Sequence, residues 1–413
     1  MKNLLSTYKG LPREIYILFI GKIFNALGMF VQPLMSLILT QKLGMSAGEA
    51  GVFVTSLAVC QVPCIIIGGK LTDTIGRKKV IVIFQLLGAI MLITCGIIPL
   101  SITTAKIMIL SSCFYSLSTP AYDALNADLT DESNRKSSYS LLYMGFNMGF
   151  AIGPILGGFL YKDYLPLVFI GDAITTLVAL SLLILYIKEP NRQIEYDENN
   201  DEEIEESKVS TLSVLLKRPI LILFPLIMLL YQFAYSQWGF ALPLHLGNLF
   251  NEDGARLFGF LGGCNGLVVI IFTPILTLLT KKCKTLNIMS LGGVLYGLSF
   301  IIYAMADFKL LFFIGTITLT IGEVLIVINS QAFIANNTPP SHRGRISAVV
   351  PMVTGAGYAM GPFIIGKVID NQGMSVSWII ITGVCLTGAL GMNLLKNIKN
   401  VNDVRENNTN NVS

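Results

Sequence analysis

Long apolar stretches make up most of this chain, and a charge inside one is costly enough to suggest a function. Glu323, in Thr320-Ile-Gly-Glu-Val, is placed to carry a proton or to hold a cationic substrate; the plainer alternative is a carboxyl hydrogen-bonded for packing. Asp123 is a second candidate, and Lys22 is its counterion or part of a gate. For Asp172 a structural or outer-leaflet role is expected. The accompanying polar and aromatic candidates are Asn25, Gln32, Gln61, Tyr115, Tyr122, Asn147, Tyr231, Tyr235, Trp238, Asn265 and Gln331. An aromatic pocket with one or two carboxylates suits amphiphilic or cationic organic molecules, although each of these residues alone could equally be a packing residue.

Other chemistries find no support. The two histidines, His245 and His342, are far apart, and the seven cysteines form no Cys-x-x-Cys pair, so they read as small apolar fillers and no metal is expected. There is no Gly-x4-Gly-Lys-Ser/Thr loop for nucleotide phosphates and no catalytic constellation, so neither ATP-driven pumping nor an enzyme is expected. A net charge of +4 argues for no nucleic-acid partner. No cofactor is expected, which leaves a proton gradient as the source of energy.

Two motifs have readable mechanics. Gly69-Lys-Leu-Thr-Asp73-Thr-Ile-Gly76-Arg77-Lys78-Lys79 combines glycines for a tight turn and close helix approach, an anion able to face a helix N-terminus, and an arginine able to fork onto a carboxylate. Gly145-x3-Gly149-x3-Gly153-Pro154-x2-Gly157-Gly158 sets small residues along one helix face, where a neighbouring backbone can approach, and its proline permits a kink.

The elements that must position these residues follow from length and charge. The chain has 413 residues, 53% hydrophobic and only 13% charged, about half the charge of a soluble domain. Its mean hydropathy is +0.67. Windows of about 20 apolar residues recur at 15–39, 47–68, 80–99, 107–127, 139–161, 164–187, 219–244, 257–279, 288–305, 310–335, 345–369 and 375–395, predicting twelve membrane helices. The first is too long for a cleavable signal and is expected to be retained. With both termini cytoplasmic, 22 of the 29 Lys and Arg lie on inside segments and 5 on outside loops, a strong positive-inside bias. Residues 188–217 form an acidic cytoplasmic linker between an N-terminal six-helix bundle, 1–187, and a C-terminal one, 218–396; residues 397–413 form a disordered cytoplasmic tail. The halves echo each other. At a shift of 208, Ala127, Thr130, Arg135, Gly149, Ala151, Gly153, Pro154 and Gly158 meet Ala335, Thr338, Arg343, Gly357, Ala359, Gly361, Pro362 and Gly366; at 210, Phe30, Pro33 and Leu34 meet Phe240, Pro243 and Leu244. A parallel repeat of this kind is expected of a two-bundle transporter.

The loop at 69–79 resembles the signature of the major facilitator superfamily, Gly-x-Leu-x-Asp-x-x-Gly-Arg-Lys/Arg-Lys/Arg, at every fixed position, and the resemblance extends over nearly the whole chain. It implies an all-α membrane protein of twelve helices in two pseudo-symmetric six-helix bundles, working by alternating access. It implies a cavity lined by spans 1, 2, 4, 5, 7, 8, 10 and 11. It also implies a cytoplasmic latch in which Asp73 faces the start of span 11 near Arg343 and Arg77 pairs with Asp128. The Gly-Pro helix resembles that of proton-exchanging exporters and tilts the expectation toward proton-coupled efflux of drug-like small molecules. Uptake of a sugar, peptide or metabolite is the main alternative; a lipid flippase and a transport-dead sensor are others. The expected setting is a monomer in the cell membrane, with a small-molecule substrate, protons and the lipid bilayer as partners.

Overall fold

The computed structural model describes residues 8–189, 219–337 and 343–397, apart from the side chains at 132, 133, 136, 331, 332, 335, 336 and 343–349. The expected tail beyond 397, and the expected linker from 190 onward, lie outside the described residues. No strand occurs among those described. The helices are α1 (Arg13–Leu27), α2 (Val31–Leu37), α3 (Ala47–Ile75), α4 (Arg77–Ile97), α5 (Ile102–Asp128), α6 (Glu132–Phe150), α7 (Gly153–Asp163) and α8 (Leu165–Tyr186). They continue as α9 (Ile220–Gly239), α10 (Ala241–Phe250), α11 (Asp253–Thr280), α12 (Thr285–Ala304), α13 (Lys309–Asn337) and α14 (Arg343–Leu395). A π-helical turn, Ile38–Lys42, extends α2.

Ten stretches are long and apolar enough to cross a membrane. The difference from twelve has two causes. The expected fourth span is α5, whose many Ser, Thr and Asn residues lower its hydropathy. The expected eleventh and twelfth fall in one stretch, Val350–Leu395, whose α14 is interrupted at Gly373 (φ 84°). Large apolar side chains face outward: Leu278 is 75% exposed and Ile66 is 66% exposed, a surface that suits hydrocarbon rather than water.

Prolines explain where helices break. A proline cannot donate to the carbonyl four residues back and collides with it, but it is tolerated in a helix's first turn. Pro33 and Pro243 stand at the third positions of α2 and α10, and the breaks fall just before them, at Gly28–Phe30 and Phe240. The repeated Phe-x-x-Pro-Leu of the two halves is therefore a repeated helix break. Pro154 likewise opens α7 after a break at Ala151 and Ile152, whereas its repeat partner Pro362 lies within the continuous α14.

The chain divides into two compact units, residues 1–192 with 239–270, and 193–238 with 271–413. In the first, α4 packs on α5 and α8, α1 packs on α6 and α8, and α2 meets α10. Its core holds one cluster around Phe30, Leu34, Tyr161 and Phe169 and another around Ile15, Val80, Leu125 and Leu183. In the second, α12 packs on α13 and α14. There Trp378 lies 5.7 Å from the Phe300 ring and 5.8 Å from that of Tyr303, which stacks on Phe312.

Candidate functional site

Three groupings of the candidate residues emerge, two in the first unit and one in the second. The Gly-Arg-Lys motif is hardly a loop at all. Helix α3 runs through Asp73 to Ile75, and α4 starts at Arg77, so Gly76 alone makes the turn, at φ 108° and ψ 155°. A side chain is strained there, and a Cβ would also lie 2.8 Å from Glu189 Oε1. Arg77 Nε donates to Asp128 Oδ2 at 2.7 Å, and Nη1 lies 4.0 Å from Asp73 Oδ1. Asp128 ends α5, where a carboxylate opposes the helix dipole, so the guanidinium answers a local need. The expected close approach at Gly69 is corrected by one residue. A Cβ on Gly69 meets nothing within 4 Å, whereas one on Gly68 would overlap the Leu117 carbonyl of α5. Arg343 opens α14, and its side chain lies outside the described ones.

Lys78 and Glu189 form a contact that spacing alone did not reveal. Lys78 Nζ donates to the Ile184 and Ile187 carbonyls at 2.9 and 2.7 Å, capping α8; Glu189 Oε1 accepts from Lys78 N at 3.2 Å, capping α4. Each helix end thus receives the opposite charge from the other. Only the position of Glu189 just beyond span 6 hinted at this.

Deeper in the first unit, Lys22 on α1 and Asp123 on α5 interact through their charges. Lys22 Nζ also stands 5.7 Å over the Phe146 ring. Asn25 and Tyr122 are half-buried, and Gln32 is exposed. Gln61 donates to Ser112. Asn147 is buried and donates to its own helix at the Tyr143 carbonyl, 2.8 Å away. The Tyr115 ring fills the space that a side chain at Gly88 would need. Asn265 is buried on α11.

Asp172 answers the expectation of a structural role. Its Oδ2 accepts from Val31 N, the first residue of α2, at 3.3 Å. The helix interrupted before Pro33 leaves amide donors without intrahelical partners, and this carboxyl from α8 meets one of them. The Thr175 hydroxyl, one turn along α8, occupies the place where a Cβ on Gly28 would stand.

The Gly-Pro helix is held from two sides. A Cβ on Gly153 would come within 2.7 Å of the Leu27 carbonyl of α1, and one on Gly158 within 2.7 Å of the Ala255 carbonyl of α11. Helix α11 answers with its own small residues: Gly259 faces the Pro154 carbonyl and Gly263 the Ala151 carbonyl. These contacts are close backbone packing of the kind membrane helices use.

The second unit contains Glu323. Tyr235 Oη donates to Glu323 Oε1 at 2.9 Å, joining α9 to α13. The Tyr235 ring stacks on Tyr296 of α12 with centroids 6.0 Å apart, and Tyr231 meets Tyr296 edge-on at 6.1 Å. Gly292 and Gly322 let α12 and α13 approach so closely that a Cβ on either would reach the other's carbonyl at 2.9 or 2.8 Å. Tyr231 is itself buried and donates to the Met289 carbonyl at 3.1 Å, while Trp238 is buried on the same helix. Gln331 lies outside the described side chains. Tyr296 was not among the candidates, because span 9 is peripheral in the resembling fold.

The comparisons agree with this architecture. Over 382 residues the chain is 24% identical to a Na(+), Li(+), K(+)/H(+) antiporter of Planococcus maritimus, covering 85% of this chain and 88% of that one. Over 161 residues it is 30% identical to Multidrug resistance protein 1 of Bacillus subtilis (strain 168), covering 38% and 40%. Among solved structures it is similar to a peptide transporter POT in complex with sulfate, with a TM-score of 0.74 and 14% identity, covering 94% of this chain and 95% of that one. These relatives are transporters and not enzymes. The profile of the Major Facilitator Superfamily matches residues 18–322 and 254–409, and the chain belongs to that superfamily of multi-pass membrane transporters.

Proposed function

We propose that this protein is a proton-coupled exporter of amphiphilic, drug-like small molecules. In this reading it stands in the cell membrane as a monomer of twelve spans, with both termini cytoplasmic and two six-helix bundles, 1–187 and 218–396, alternating access to a central site. The observation that carries the reading is Glu323 hydrogen-bonded to Tyr235 beside the Tyr296 ring. A carboxyl among aromatic faces can hold a proton or an organic cation, so one group couples the two. Lys22 and Asp123 are the accessory charges. Asp73, Arg77 and Asp128 form the cytoplasmic latch.

A second reading, exchange of monovalent metal cations for protons, is favoured by the nearly full-length similarity to the Planococcus antiporter. Ethidium accumulation in cells expressing the wild type or Glu323→Gln, with and without a protonophore, separates the two. Export predicts lower accumulation with the wild type, and predicts that both protonophore and substitution erase the difference. If the wild type matches empty vector, with protein present in the membrane, drug export fails. Sodium-driven proton release from vesicles then tests the second reading.

A further inference from the structure

At the end of α3 remote from the Arg77–Asp128 pair, the first unit carries a second group of charges. Helices α10 and α11 are joined by Asn251 and Glu252 alone, and Asn251 turns the chain in the left-handed region at φ 51°, ψ −130°. Among the described residues no other non-glycine has a positive φ. That turn presents Glu252 to two lysines from separate segments. Lys42, which ends the π-helical turn after α2, is 3.1 Å from Oε1, and Lys162 of α7 is 3.8 Å from Oε2. Lys42 is fixed from its other side by the Tyr161 ring, 5.0 Å away, and the Tyr161 hydroxyl donates to the Leu37 carbonyl at 2.9 Å. Arg256, one turn past Glu252, lies 4.3 Å over Phe159.

We propose that Glu252 is a latch that holds this end of the transporter shut, opposite in the membrane to the Arg77–Asp128 pair. Alternating access requires residues 239–270 to part from the ends of α2 and α7 whenever the site opens on this side. The ion pairs suit that role. Their side chains are 21% to 56% exposed, so water and salt weaken the pairs and they break at small cost, whereas the glycine contacts beneath reclose in one register. A single carboxylate bridging two segments makes their release concerted. The inference rests on alternating access and not on export or on any particular substrate.

The test is hydrogen–deuterium exchange of the full chain in lipid nanodiscs, which needs no substrate and so stands apart from the ethidium result. Glu252→Lys should speed exchange about fivefold in peptides covering both 30–46 and 239–256, and leave those around 72–80 and 125–131 unchanged. The milder Glu252→Gln should act in the same direction, and serves if the lysine variant does not fold. Charge reversal of the partners, Lys42→Glu with Lys162→Glu in the Glu252→Lys background, should restore slow exchange. Wild-type exchange in both single variants overturns the latch. So does acceleration that the reversal fails to restore, because the effect would then come from the turn and not from the ion pairs.

Discussion

Tyr235 and Glu323 share one hydrogen bond, and its removal is the sharpest test at the scale of single residues. A hydrogen bond to a charged group contributes about 1.5–3 kcal/mol. Tyr235→Phe keeps the ring stacked on Tyr296 and removes only the donor. Coupled ethidium export should fall about tenfold, while thermal unfolding in detergent stays near that of the wild type. Full export by this variant would remove Tyr235 from the coupling site. The latch offers a paired test. Arg77→Asp should impair transport and leave the protein folded, since a partly exposed pair contributes only about 1 kcal/mol or less to stability. Adding Asp128→Arg should recover part of the rate. Failure of the reversed pair to recover any would mean that Arg77 acts through Asp73 or the Thr72 carbonyl instead, both of which it also approaches.

Helices decide which glycines matter. Gly68 and Gly69 are neighbours with identical side chains, yet only Gly68 faces the α5 backbone. Gly69→Ala should be neutral or should stabilise α3 by up to about 1 kcal/mol, through helix propensity alone. Gly68→Ala should lower stability by about 1–3 kcal/mol, because the carbonyl it meets belongs to a rigid helix and cannot move aside. Thermal melts of the two variants in one detergent would show the contrast, and equal melting temperatures would contradict it. The same physics operates where α2 begins. Asp172→Asn retains an acceptor for the Val31 amide and should sustain transport, whereas Asp172→Ala leaves that donor unmet and should slow it. If Asn proves as damaging as Ala, the charge rather than the cap is what α8 supplies.

For the whole molecule the governing quantity is the parity of the spans. Ten stretches qualify by length and hydropathy, and counting α5 and dividing α14 at Gly373 gives twelve. Both counts are even, so both termini belong on one side, and the positive-inside bias assigns that side to the cytoplasm. Reporter fusions at residues 1 and 413 should both be active only in the cytoplasm. Opposite locations would remove either α5 or the division at Gly373 from the membrane.

Much of this was legible in the sequence alone. Hydrophobic run lengths set the spans, the distribution of Lys and Arg set their direction, and the Gly-Arg-Lys motif anticipated Arg77 on Asp128, because these signals are local or follow from the bilayer's own dimensions. Pro33 and Pro243 announced helix breaks by removing a backbone donor. Long-range partners were not legible. No spacing ties Glu189 to Lys78, Asp172 to the Val31 amide, or Glu252 to Lys42 and Lys162, since each pair is separated by whole spans. Tyr296 joined Glu323 only because Gly292 and Gly322 let two helix backbones approach closely, and Gly68 displaced Gly69 through the angle at which α3 meets α5. Composition determines which helices exist; which of their faces meet depends on close packing between segments distant along the chain, and only the tertiary structure decides that.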